Sequence, residues 1–271
     1  KETKLWDTLK SIEVDEKSAQ KREELEKEIR KNKFFIIAMK EITQIRSLGL
    51  WIFIIPFVAI NLCLLISVNF NIFENTFFSV DQIGRSGFSI PYFDGSLSIS
   101  RASRTFPQFL VFKPGMIITS FLLFAYWYKN NLLINNFRKT DHKKNAFMIF
   151  GILSAIFLII HSLFLGVETE IKIFKLIRRI VLVSFIVFEI VAQTILVLNF
   201  YKLKGSLNDL FNPAILKIKI ILVSVLIFVA MVSVPLLIKS GNVHFKHLLE
   251  WNYFIGVIFF YLLKYFFWKK N

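Results

Sequence analysis

The residues best suited to chemistry are few, and they stand inside or beside long apolar runs. Glu189 lies near the middle of SFIVFEIVAQTILV, with Gln193 four residues on and so on the same helical face. A carboxyl in hydrocarbon is costly unless it is paired, neutral or in use. Two readings follow: a protonated Glu189 bonded to a neighbouring helix as packing glue, or a group that handles protons or binds a ligand. His161 sits within another apolar run, as a satisfied structural histidine or as a general base. Glu250 opens the last apolar run beside Trp251, at the depth where aromatic residues favour the membrane interface.

A second group is polar and basic. Ser98, Ser100, Arg101 and Arg104 are packed into a loop that runs directly into an apolar segment, and Lys113 lies early in that segment, able to snorkel outward. Arg178 and Arg179 flank a later run. Guanidinium forks pair with phosphate oxygens, so this set suits a lipid headgroup; solvated charges flanking membrane spans would leave the same residues in the same places. His161 and Glu250 are the candidate catalytic pair, and a general base among them would suit acyl-chain or headgroup remodelling. There is no GxSxG, no glycine-rich phosphate loop, no HExxH and no CxxC. His244 and His247 lack a third ligand, so no metal and no cofactor is expected. The single Cys63 excludes an intrachain disulfide.

The elements that must hold these groups are helices in a membrane. Of 271 residues 55% are hydrophobic, too many for an ordinary soluble domain. A span needs about 20 mostly apolar residues, and six runs qualify, at roughly 48–70, 108–128, 146–166, 178–201, 217–239 and 248–268. The expected fold is all-α: a polytopic bundle of six transmembrane helices preceded by a charged, amphipathic N-terminal helix. Residues 1–47 form that tail and 48–271 the membrane domain. In the tail Leu25, Ile29, Phe35 or Ile36, Met39 and Ile42 make a narrow apolar stripe, suited to an anionic leaflet or to a neighbouring protein. The net charge of +15 is placed largely beside the spans, and the aromatic residues lie inside them, so a nucleic-acid partner is not expected.

Basic residues set the orientation. The N-tail, the 129–145 loop, the 202–219 loop (Lys202, Lys204, Lys217, Lys219) and the C-terminal Lys269 and Lys270 carry a surplus, which puts both termini in the cytoplasm. The 167–179 loop, with Lys172, Lys175, Arg178 and Arg179 against Glu168 and Glu170, argues the other way. The 71–107 loop is then extracytoplasmic. Its alternation in SIPYFDGSLSIS suggests a short hairpin about Asp94-Gly95.

Pro91, the Ser98-Ile99-Ser100 triplet, Phe106-Pro107-Gln108 before an aromatic-rich second span, and Glu250-Trp251 opening the last helix together resemble the DRAM-like superfamily of six-helix membrane proteins. That superfamily includes damage-regulated autophagy modulators and factors that remodel GPI-anchor lipids. The resemblance covers about 48–268 and implies lipids as the substrate class. The leading expectation is a membrane protein that binds or remodels a phospholipid or glycolipid at its extracytoplasmic face. A non-catalytic subunit of a larger membrane complex, with other membrane proteins as partners, and a proton-coupled transporter built on Glu189 are the alternatives.

Overall fold

A computed structural model describes residues 16–138, 145–167, 172–207, 210–238 and 241–269. Six long helices dominate it: α1 Glu16–Val68, α2 Phe109–Arg138, α3 Ala146–Phe164, α4 Lys172–Lys202, α5 Pro213–Ile238 and α6 Val243–Phe267. No strand occurs among the described residues.

Five of these helices are long and apolar enough to cross a membrane, over Phe35–Val68, Phe109–Arg138, Ala146–Phe164, Leu176–Lys202 and Pro213–Ser233. The shortest, with 19 residues, still reaches about 29 Å at 1.5 Å per residue. Large apolar side chains such as Leu65, Phe121, Ile180, Phe228 and Met231 are exposed on their outer faces, as hydrocarbon would require. The chain is therefore an all-α, multi-pass integral membrane protein. The sixth expected span forms as α6, 25 residues long, but Glu250, Asn252 and Lys264 leave it less apolar than the other five. α6 packs against α1, α4 and α5, and Lys264 is wholly buried.

The charged tail and the first span are one helix, 53 residues long, with no break at the 47/48 boundary. Glu- and Lys-rich sequence without Gly or Pro favours helix up to Arg46. Of the expected stripe, Ile29 and Ile42 are buried and Leu25 and Met39 half-buried, whereas Phe35 and Ile36 are exposed. Ala38 and Ile45 take the inward places instead. α1 meets α6 closely at Gly49: a Cβ there would stand 2.9 Å from the Tyr261 carbonyl oxygen. Tail residues 1–15 lie outside the described residues, as do Lys139, Lys143, Lys144, Glu168, Glu170 and Lys270.

The hairpin expected about Asp94-Gly95 does not form. Pro91–Asp94 is one helical turn, Gly95 closes it at φ 59°, and Ile99–Ser103 is a second short helix. Proline at the first turn presets helical φ. The Asp94 carboxylate accepts from the amides of Ile90 and Ser96, both at 2.9 Å, so local capping outweighs the strand-like alternation.

At the opposite end of the bundle, asparagines fix the α2–α3 connection. Asn145 Nδ2 donates to Asn131 Oδ1 at 2.8 Å and to Asn135 Oδ1 at 2.9 Å. Arg138 bridges Asn145 and Asn199, bringing in α4. The core between the ends is aromatic, with Tyr126, Trp127, Phe147, Phe200, Phe260, Tyr261 and Phe267 almost fully buried.

Candidate functional site

The segment from Pro91 to Gln108 is pinned onto the start of α6. Trp251 Nε1 donates to the Leu97 carbonyl at 2.7 Å, and Asn252 Nδ2 donates to the Tyr92 carbonyl at 2.9 Å. His247 Nδ1 lies 3.0 Å from the Gly95 carbonyl oxygen. Glu250 Oε1 accepts from the Ser100 amide at 3.3 Å, at the N-terminal turn of the Ile99–Ser103 helix, where amides lack helical partners. Gly95 has no room for a side chain, since a Cβ would stand 1.8 Å from the His244 carbonyl oxygen.

Several residues of the expected polar set make local contacts in this geometry. The Ser98 side chain caps the short helix by accepting from the Arg101 amide at 3.1 Å. Ser100 offers its amide to Glu250. Arg101 is exposed and its Nε donates to the Ile83 carbonyl at 3.2 Å. Lys113 lies over the Phe109 ring, 5.3 Å from its centroid. The motif residue Gln108 is fully buried against Ser67 Oγ at 3.2 Å. His161 and Glu250 share no contact among the described interactions.

Arg104 is different. It closes the Ile99–Ser103 helix and is half-buried, and its Nε is buried with no hydrogen-bond partner. The turn after α3 lies on its backbone: Gly166, at φ 82°, would place a Cβ 2.5 Å from the Arg104 carbonyl oxygen. His161, on the last turns of α3, is buried, and its Nδ1 also lacks a partner. Arg178, early in α4, is within electrostatic reach of His161, Arg104 and Arg179. One short helix, α3 and α4 thus bring guanidinium groups and an imidazole together, and no described carboxylate pairs with them. His161, Arg178 and Arg179 are 57 or more residues beyond Arg104 in the chain, so no local motif announces the cluster.

A second polar centre is buried where α2, α3, α4 and α6 meet. Glu189 is 1% exposed and Gln193 fully buried. Ser154 Oγ lies 2.6 Å from Glu189 Oε2, Gln193 Nε2 donates to Glu189 Oε1 at 2.9 Å, and the Tyr261 hydroxyl donates to Glu189 Oε1. Gln193 also donates to the Val257 carbonyl at 3.2 Å, joining α4 to α6.

Lys219 corrects the reading of flanking charge, and Lys264 is a second lysine buried in the bundle. Lys219, counted above with a cytoplasmic loop, is buried inside α5; its Nζ donates to the Phe260 carbonyl at 3.1 Å and lies 3.4 Å from that ring's centroid. Lys264 is enclosed by Phe200, Phe267 and Trp268, its Nζ 3.6 Å from the Phe200 centroid and without an acceptor. Their signal was present as charges near aromatic residues, but only the packing separates them from interface lysines. No group of three or more metal-ligating side chains occurs among the described residues. No family model, curated protein or solved structure matches this chain.

Proposed function

We propose that this integral membrane protein binds the phosphate-bearing headgroup of a phospholipid or glycolipid, at the extracytoplasmic end of the bundle. Arg104, His161 and Arg178 make the contact. The observation that carries the reading is the pair of buried, unpartnered nitrogens, Arg104 Nε and His161 Nδ1, beside a second guanidinium. Like charges gathered in a medium less polar than water repel, and burying a polar group without a bond costs about 1–3 kcal/mol. A phosphate offers several acceptor oxygens and opposite charge, so it relieves both costs at once.

Arg104 belongs to the polar set expected from the sequence, and His161 and Arg178 join it, while the Ser98 hydroxyl and the Arg101 Nε are bonded to nearby backbone. The resemblance to the DRAM-like superfamily points to the same substrate class. If a reaction occurs, His161 is the candidate general base, because Glu250 is already occupied by the Ser100 amide.

The test is lipid retention. Protein purified in mild detergent is analysed for bound lipid by native mass spectrometry, as wild type, Arg104→Gln, Arg178→Gln and Ser98→Ala. A charge-assisted hydrogen bond contributes about 1.5–3 kcal/mol, so each arginine variant should lose retention by roughly tenfold to a hundredfold. Ser98→Ala should retain lipid. Equal lipid content in folded wild type and both arginine variants would remove the site.

A further inference from the structure

We propose that Glu189 is a built proton-binding site, occupied by a proton in the conformation described here. The hydrogens around Ser154 do not suffice for a carboxylate there. Ser154 Oγ lies 2.8 Å from the Gly151 carbonyl oxygen and 2.6 Å from Glu189 Oε2, yet a serine hydroxyl owns one hydrogen. A carbonyl oxygen can only accept, so the Ser154 hydrogen goes to Gly151. The contact with Glu189 then needs a hydrogen from the carboxyl itself. A neutral Glu189 supplies it: Oε2–H donates to Ser154 Oγ, while Oε1 accepts from Gln193 and Tyr261. Every close contact of the carboxyl is satisfied in this arrangement. With a carboxylate, either Ser154 and Gly151 or Ser154 and Glu189 would face each other with lone pairs only.

The surroundings agree. From α2 come Tyr126, whose hydroxyl has no partner, and Trp127, whose ring lies on Gly151; from α6 comes Tyr261. α1 contributes the glycine contact at Gly49, against Tyr261 and Lys264. Lys264 is one helical turn beyond Tyr261 but faces Phe200, Phe267 and Trp268, with Lys219 from α5 behind it. No cation touches the Glu189 carboxyl among the described interactions, and an ionised carboxyl buried without one is costly. The proton therefore bonds α3 to α4 through Ser154, and its release requires water to reach a place that the four helices now exclude. The site is independent of the lipid reading above and lies on other residues.

Infrared difference spectroscopy of the whole protein in lipid nanodiscs at neutral pH tests this. Wild type should show a protonated-carboxyl carbonyl band that is absent from the isosteric Glu189→Gln and shifts in heavy water after the sample is cycled through partial unfolding. Ser154→Ala removes the acceptor of the carboxyl hydrogen and should move the band without abolishing it. Absence of a carbonyl difference between wild type and Glu189→Gln would overturn the proposal, as would a band unmoved by Ser154→Ala. If Glu189→Gln does not fold, the Ser154→Ala shift decides alone.

Discussion

Trp251 and Leu97, 154 residues apart, are joined by an indole N–H donating to a buried carbonyl at 2.7 Å. Tyr92 stacks edge-on against the same indole, at 4.8 Å between ring centroids. The loop that carries Arg104 is thereby held to the first turns of α6, and the proposed headgroup site would inherit that rigidity.

Trp251→Phe keeps most of the ring and removes the donor. The Leu97 carbonyl would then be buried without this partner, at a cost of about 1–3 kcal/mol. Thermal unfolding in detergent should report a lower midpoint, and limited proteolysis should cut between 91 and 104 sooner. An unchanged midpoint would mean that the loop is held by its other contacts.

Gly151 is the tightest helix contact at the Glu189 centre. A Cβ there would stand 2.3 Å from Trp127 Cδ2, whereas a Cβ at Gly87 would meet nothing within 4 Å. Overpacking costs about 1–3 kcal/mol. Gly151→Ala should destabilise by that order and Gly87→Ala should be near neutral in the same unfolding assay. Combining Gly151→Ala with Trp127→Leu should restore part of the loss.

Lys264 sets two effects against each other. Attraction of its ammonium to the surrounding rings contributes up to about 2 kcal/mol when desolvated. Burying an ammonium without an ion partner costs several kcal/mol, so the cost wins. Lys264→Met should therefore raise the unfolding midpoint. Lys219→Met should gain less, because Lys219 already donates to the Phe260 carbonyl. A lowered midpoint in Lys264→Met would contradict this balance.

Acid should loosen the loop through Asp94. The Ser96 backbone amide, the Ser96 hydroxyl and the Ile90 amide hold its carboxyl below the usual carboxylate range. A depressed folded pKa means stabilisation that is complete above the unfolded value, about 3.9, and lost as pH falls through the folded value. Protection of the 90–96 amides from hydrogen exchange, normalised for intrinsic rates, should fall in wild type below about pH 4. Asp94→Asn should flatten that dependence, and an equally steep fall in the variant would place the sensitivity elsewhere.

Membrane crossing was legible in the chain because it depends on summed composition. Runs of about 20 apolar residues leave the backbone no alternative to helix in hydrocarbon. Glu189 with Gln193 was legible too, since spacing of four fixes one face on any helix. The hairpin was misread because alternation over a few residues is a weak signal beside Pro91 and the capping carboxylate of Asp94. The charged tail and the first span share one helix because a change in composition need not interrupt a helix that has no breaker there.

What the chain determined alone was its solvent: apolar periodicity and length commit these helices to a bilayer whatever their neighbours. Tertiary packing alone decided which polar groups are structural and which are left wanting a partner. The Ser98 hydroxyl and the Arg101 Nε are bonded to nearby backbone, whereas Arg178 comes within electrostatic reach of His161 and Arg104 only when α3 and α4 close on the loop. Lys219 reads as a flanking charge and proves to be buried among rings, as Lys264 is. Hydrogen-bond satisfaction is a property of distant atoms brought within 3 Å or so, and linear order does not encode it.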